Sequence, residues 1–306
     1  MKRKIRVVVS GIFYPFTMMS YFIRALQRRP DVELVLAGPF TGTSIPWNGG
    51  MELPWRYVVT PEIILPSSLV SLGQCHSSIV ESQLPWKPDL WIQVDAGFHF
   101  LNKPSAEVVA HVATDPHVLR YDVQRTLCDV FFCMQAEYSK AGDVFLPYAY
   151  DPSCHYLEDI PKTHDACLIG LLYETRANLV SSLRSAGMSC HNSIGEIYDE
   201  YRTLYSQSRV ALNWSSLHDV NARTFEAMGM SLPLVTNRIP DLEIHFEEGK
   251  HYLGFDTVSE AVSQVRWVLD NPDKAQVIAQ QGHELVKHNH TYDARIDKIF
   301  VECGVK

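Results

Sequence analysis

The chain has no pair of cysteines at CxxC spacing. Its seven cysteines, at 75, 128, 133, 154, 167, 190 and 303, are an odd, scattered set. They suggest neither a disulfide framework nor a zinc site, and they fit a reducing cytoplasm. No segment is apolar and long enough to span a bilayer. The dinucleotide fingerprint GxGxxG is missing, which removes the sequence argument for a nicotinamide or flavin cofactor. An excess of positive charge is missing too: 27 basic residues face 35 acidic ones, net −8, the wrong balance for non-specific wrapping of nucleic acid.

With 306 residues, 46% of them hydrophobic, the chain can form two α/β domains of about 150 residues each. Lys2, Arg3 and Lys4 ahead of Val7, Val8 and Val9 imitate a signal peptide. Gly11 and Pro15 interrupt that run, which also holds polar Ser10, Thr17 and Ser20, so the reading is strand, loop and helix. Residues 5–9 form a buried parallel strand and Gly11 follows its end, where a bare backbone lets a ligand approach. Further strands are expected at 32–37, 90–94, 108–113, 130–134 and 144–146, with a long Gly- and Pro-rich loop over 38–54.

The strand at 108–113 ends in Thr114-Asp115-Pro116-His117, at the edge where parallel sheets place ligands. Asp115 is a candidate for steering or deprotonating an acceptor hydroxyl, with His117 as helper or alternative base. The competing reading makes Asp115 an N-cap or turn residue for a helix over 118–127. His111, inside the strand, reads as a core histidine.

Residues 213–237, NWSSLHDVNARTFEAMGMSLPLVTN, carry the densest chemistry. A strand ends at Asn213, a polar loop follows, and a helix begins near Asn221, a favourable N-cap. Pro233 stops it before the strand 234–236. Free amides at such a helix start suit an anion. Arg223 on the first turn can fork onto phosphate oxygens, and Glu226 one turn later suits a ribose diol. An ordinary exposed i, i+3 ion pair is the alternative.

This stretch resembles the nucleotide-binding segment of GT-B glycosyltransferases, of the family 4 and spore-maturation types. The matching residues are Arg223, Phe225, Glu226, Ala227, Met228, Leu232 and Pro233. Ser231 stands where that family has Gly, so the tight helix exit is expected from Gly229. His218 stands where the family 4 pattern has its first Glu. The closing His290-Thr291-Tyr292 element with Arg295 is similar to the family's tail.

The resemblance implies two Rossmann-like doubly wound domains facing across a cleft. Residues 1–150 would be the acceptor side and 151–306 the nucleotide-sugar side, with a helix at about 291–306 crossing back. It implies transfer of a sugar from a nucleoside-diphosphate sugar, UDP-glucose or another UDP-sugar favoured, to an unidentified acceptor hydroxyl. No metal is implied, and no Asp-x-Asp pair occurs. Arg176, after a strand, a Gly and a short loop, corresponds to the family's diphosphate-contacting basic residue. Arg176, Arg223 and the amides near Asn221 would hold the leaving diphosphate. Glu226 would hold the ribose and His218 the sugar or departing phosphate. A retaining reaction needs no protein nucleophile and leaves Asp115 a positioning group, whereas inversion makes Asp115 or His117 the base. A sugar-nucleotide epimerase, a DNA-base glucosyltransferase and a silent nucleotide-sugar binder share the pattern. The acceptor could be protein, glycan, lipid or small metabolite.

In the second half, 158–165 is a candidate hinge and 193–208 a helix with Ile197, Tyr201, Leu204 and Tyr205 inward. Thr257 and Glu260 form a capping box, and Asn271-Pro272 starts another helix. His288 and His290 read as solvated loop residues rather than metal ligands.

Overall fold

The computed structural model describes residues 3–45, 51–95, 97–215, 217 and 219–305. The chain forms two compact units, Met1–Pro147 with Tyr292–Lys306, and Tyr148–Thr291. Each is a doubly wound α/β sheet of parallel strands.

The first unit runs β1 (Ile5–Ser10), α1 (Met19–Gln27), β2 (Val32–Pro39), β3 (Ile63–Leu65), α2 (Ser68–Leu72), β4 (Gln74–Cys75), α3 (Ser78–Glu81), β5 (Leu90–Asp95), β6 (His99–Phe100), β7 (Val108–Ala113), α4 (Asp122–Thr126), β8 (Val130–Cys133) and β9 (Val144–Phe145). Its sheet has the order β3-β2-β1-β5-β7-β8-β9, and β4 pairs separately with β6. β1 sits between β2 and β5, which is why Val7, Val8 and Val9 can all be apolar and fully buried. Strand order reverses there, so the ends of β1 and β5 frame the switch point of this sheet.

The second unit runs β10 (His164–Ile169), α5 (Glu174–Ser185), β11 (Cys190–Ser193), α6 (Tyr198–Ser206), β12 (Ser208–Asn213), α7 (Ala222–Gly229), β13 (Leu234–Asn237), β14 (Leu253–Phe255), α8 (Val258–Asp270) and α9 (Pro272–Asn289). Its sheet order is β11-β10-β12-β13-β14, with the switch point between β10 and β12. Leu168, Val210, Leu212, Val235 and Phe255 from the strands pack with Leu179, Leu183, Ala261 and Val265 from α5 and α8. Thr257 caps α8 by accepting the Glu260 amide at 3.2 Å, as its spacing predicts.

The last helix, α10 (Tyr292–Glu302), belongs to the first unit and lies on α1. The Tyr292 ring stacks on Tyr21 at 5.0 Å and meets Phe22 edge-on at 5.1 Å. Arg28 forks onto Asp293. Those partly exposed charges contribute at most about 1 kcal/mol. Ile296 and Ile299 are fully buried, at about 1.5–3 kcal/mol each, so apolar burial decides the docking. Arg295 donates to the Pro147 carbonyl at 2.6 Å and Lys298 to that of Phe145 at 2.9 Å.

Three expectations are corrected. The helix over 118–127 is only the five-residue α4; residues 116–118 form a turn closed by the Val118 and Leu119 amides on the Asp115 carbonyl. The segment 158–165 is not a loose hinge. Glu158 pairs with Arg202 at 2.9 Å, accepts the Thr203 hydroxyl at 2.8 Å, and its amide binds Ser206, all on α6. Four strands went unread: β3 has only three residues, β4 and β6 have two each, and β11, Cys-His-Asn-Ser, has no apolar run.

Candidate functional site

At the switch point of the second sheet, Arg223 spans the ends of two strands. Its guanidinium donates to Asn213 Oδ1 at the end of β12, at 2.8 Å, and to the Ile169 carbonyl at the end of β10. Asn213 is fixed in turn: its amide donates to Thr236 Oγ1 at 3.1 Å, and its oxygen also accepts from Asn221 at 3.1 Å. Asn221 occupies the N-cap position of α7, yet its side chain caps no helix amide, because it is turned to Asn213. The N-cap position read from sequence is right and the capping bond is absent. Asn221 Oδ1 and Arg223 Nε are buried without a hydrogen-bond partner.

Arg176, on the first turn of α5, comes to the same place. It is 7% exposed, and it donates to the Trp214 and Leu171 carbonyls, each at 2.8 Å. Burial, and then the neighbouring Arg223, bring its pKa down to about 10. Burial also works against the charge of Arg223, but Tyr205, Tyr201 and Glu226 offset it and keep that pKa above the ordinary arginine value. Neither guanidinium has a carboxylate within ion-pair distance among the described residues. Gly170 makes this possible. A Cβ there would lie 2.6 Å from Arg223 Nη2 and 3.7 Å from Arg176 Nη1, and its φ of +133° suits only glycine.

Glu226 lies on the same helix but faces inward, 8% exposed. Its Oε2 accepts the Tyr201 hydroxyl at 2.6 Å, and His155 Nε2 lies 3.6 Å from its Oε1. Arg223 and Glu226 therefore do not form the exposed ion pair that their spacing allowed. Burial, then the Glu226 carboxylate, hold the Tyr201 phenol well above its ordinary pKa. His155 and Tyr201 were not found by sequence reasoning. Tyr201 was read only as part of a buried stripe, and His155 carried no signal.

The exit from α7 is made by Ser231 itself, with a left-handed φ of +54°. Its amide binds the Met228 carbonyl at 2.9 Å and the Leu232 amide binds that of Ala227 at 3.2 Å, a Schellman motif. Gly229 is not the exit residue; it admits the Tyr150 ring, whose nearest atom would lie 2.3 Å from a Cβ at 229. His290 also departs from expectation. It is buried beside Phe225, Phe246 and His245, while His288 is exposed on the last turn of α9. His218 lies outside the described residues.

In the first unit, Asp115 is half-buried past the end of β7 and accepts the Thr114 hydroxyl at 2.8 Å. It does not cap α4, whose N-cap is Tyr121. Burial and then Asp115 raise the pKa of Tyr14, in the loop after β1, with Thr17 pulling the other way. Tyr14 is a neighbour of Asp115 that sequence reasoning missed. The His117 ring sits 6.3 Å from that of Tyr138, and its Nδ1 is buried without a partner. Gly11, past the end of β1, is closely packed: a Cβ there would lie 2.5 Å from the Val94 carbonyl and 2.8 Å from Met19 Sδ. His111 is buried and stacked on Phe131, as expected of a core residue. No group of three or more His, Cys, Asp or Glu among the described residues could hold a metal ion. Among the described residues no helix is long and apolar enough to cross a membrane.

Residues 173–300 match a family described as Glycosyl transferase-like. The chain superposes on sucrose-phosphate synthase from Thermosynechococcus elongatus with a TM-score of 0.64, 11% identity and coverage of 98% of this chain and 99% of that one. HepE from Anabaena, solved with UDP, gives 0.64 at 7% identity over 98% and 99%. A UDP-N-acetylglucosamine 2-epimerase gives 0.54 at 11% identity over 99% and 97%. No curated protein matches by sequence. The protein thus has the GT-B glycosyltransferase fold, and the segment that matches the glycosyl transferase-like family contains α7 with Arg223 and Glu226.

Proposed function

We propose that the protein transfers a sugar from a nucleoside-diphosphate sugar, a UDP-sugar, to an acceptor hydroxyl without a metal, in the cytoplasm. The observation that carries this reading is the pair Arg176 and Arg223: two buried guanidiniums side by side, with no carboxylate among the described residues within ion-pair distance of either. Holding two like charges out of water is unfavourable unless an anion completes the arrangement. A diphosphate supplies the missing negative charge. The amides at the start of α7, left uncapped by Asn221, point the same way.

In this reading the diphosphate leaves as the glycosidic bond forms, and the charge it gains is taken up by Arg176, Arg223 and those amides. The guanidiniums do what a divalent ion does in other transferases. Glu226 accepts hydrogen bonds from the ribose hydroxyls, and the second unit is the donor side. His218, in the loop before α7, meets the sugar or the departing phosphate. The reaction retains anomeric configuration, Asp115 orients the acceptor hydroxyl, and His117 assists. The resemblance to family 4 supports retention. The epimerase fold match favours no second reading, because the fold alone is common to both chemistries.

The test is a product assay with UDP-, GDP- and ADP-glucose and an acceptor panel, with and without EDTA. Glycosylated product that survives EDTA and is lost in Glu226→Ala and Arg223→Met supports the reading. Failure of the wild-type protein to bind any of the three donors removes it.

A further inference from the structure

Glu226 is held by two residues outside the motif that points to it. The Tyr201 hydroxyl donates to Oε2 at 2.6 Å, and His155 Nε2 faces Oε1 at 3.6 Å. The orientation of His155 is itself determined. The Asp151 amide donates to His155 Nδ1 at 3.1 Å, so Nδ1 must be the unprotonated nitrogen and Nε2 carries the hydrogen. That nitrogen lies 3.6 Å from Oε1, the carboxylate oxygen that Tyr201 does not bind.

The backbone fixes the ring as well. The His155 amide binds the Asp151 carbonyl at 2.8 Å, and Asp151 Oδ1 accepts the Ser153 amide at 2.9 Å and hydroxyl at 2.8 Å. Residues 151–155 thus form a tight turn that presents one imidazole face, packed against the Tyr201 ring at 6.0 Å between centroids. The charged groups facing His155 are Glu226, Asp151 and Arg202, and burial outweighs the two acids, which keeps the ring neutral.

We propose that His155, as its neutral Nε2–H tautomer, is a positioning residue that with Tyr201 sets the Glu226 carboxylate for recognition of the ribose hydroxyls. The proposal rests on the reading that Glu226 accepts those hydroxyls. A carboxylate has about four acceptor positions, and a hydrogen bond from Tyr201 to one oxygen with the His155 N–H nitrogen 3.6 Å from the other restricts the lone pairs left for a diol. The consequence is selectivity for ribose over nucleotides that lack its hydroxyls, without any contact between His155 and the donor.

Isothermal titration calorimetry with UDP and with 2′,3′-dideoxyuridine diphosphate tests this. The wild-type protein is expected to prefer UDP by roughly 10-fold or more, the range for hydrogen bonds to a charged group. His155→Leu and Tyr201→Phe should each reduce that preference several-fold while binding the dideoxy compound as the wild type does. His155→Gln, whose side-chain amide can still donate, should retain most of the preference. Thermal unfolding of each variant separates misfolding from the intended effect, and Tyr201→Phe preserves the shape of the core. If Glu226→Gln loses the preference while His155→Leu and Tyr201→Phe keep it in full, the positioning role is wrong and the Glu226 reading stands. If the wild-type protein shows no preference at all, the Glu226 reading fails first.

Discussion

Arg176→Met should separate function from stability. In the ligand-free protein the Arg176 charge is held with a pKa of about 10 against an ordinary 12.5, a difference worth about 3 kcal/mol against the native state at neutral pH. Removing the charge recovers up to that amount. It also leaves the Trp214 and Leu171 carbonyls without their donor, at about 1–3 kcal/mol each. The two effects largely offset each other, so stability should change by no more than about 3 kcal/mol, or under about 12 °C in Tm for a chain of this size. Affinity for UDP should meanwhile fall roughly 10- to 100-fold, the loss of a hydrogen-bonded charge on phosphate. Differential scanning fluorimetry and calorimetry read the two quantities on one preparation. A Tm lower by tens of degrees with unchanged UDP affinity would refute the reasoning, because Arg176 would then be a structural residue.

Three further outcomes follow from the geometry. Ser231→Gly should stabilise by about 0.5–1 kcal/mol in urea unfolding, since its φ of +54° penalises a Cβ, whereas Gly229→Ala should cost about 1–3 kcal/mol because of the Tyr150 ring. Ile296→Ala in α10 should lower stability by about 2–5 kcal/mol, and a cost near zero would mean the closing helix is not docked as described. Burial holds His155, His191 and His251 below the ordinary 6.5, so between their folded and unfolded pKa values the unfolded chain binds more protons. Their stabilisation is complete above about pH 6.5 and is lost as pH falls below it, which urea midpoints at pH 7.5 and 5.5 will show; His155→Gln removes its share.

The sequence made some elements legible because local pattern and tertiary need agree there. β1, β7 and β13 are apolar runs in buried parallel strands, and the Thr257–Glu260 cap completes itself within four residues. Asn221 and Arg223 were legible as a helix start for the same reason. The rest depends on contacts far apart in the chain. Arg176 was placed by a Gly and a loop length, but its grip on the Trp214 carbonyl spans 38 residues. Tyr201 is 25 residues from Glu226, and nothing near His155 announces that its Nε2 faces that carboxylate. Gly11 is ambiguous in sequence because a bare glycine at a strand end is equally suited to a ligand and to a neighbouring carbonyl, and the Val94 carbonyl lies where a Cβ would sit. Ser231 misled because a serine can carry a left-handed turn that glycine makes more cheaply.

The most direct measurement is a crystal structure of the protein soaked with UDP. The account predicts diphosphate oxygens within about 3 Å of the Arg176 and Arg223 guanidiniums and of the first amides of α7, with the ribose hydroxyls on Glu226. A diphosphate bound elsewhere, with both guanidiniums still held only by the Ile169, Leu171, Asn213 and Trp214 oxygens, would contradict it.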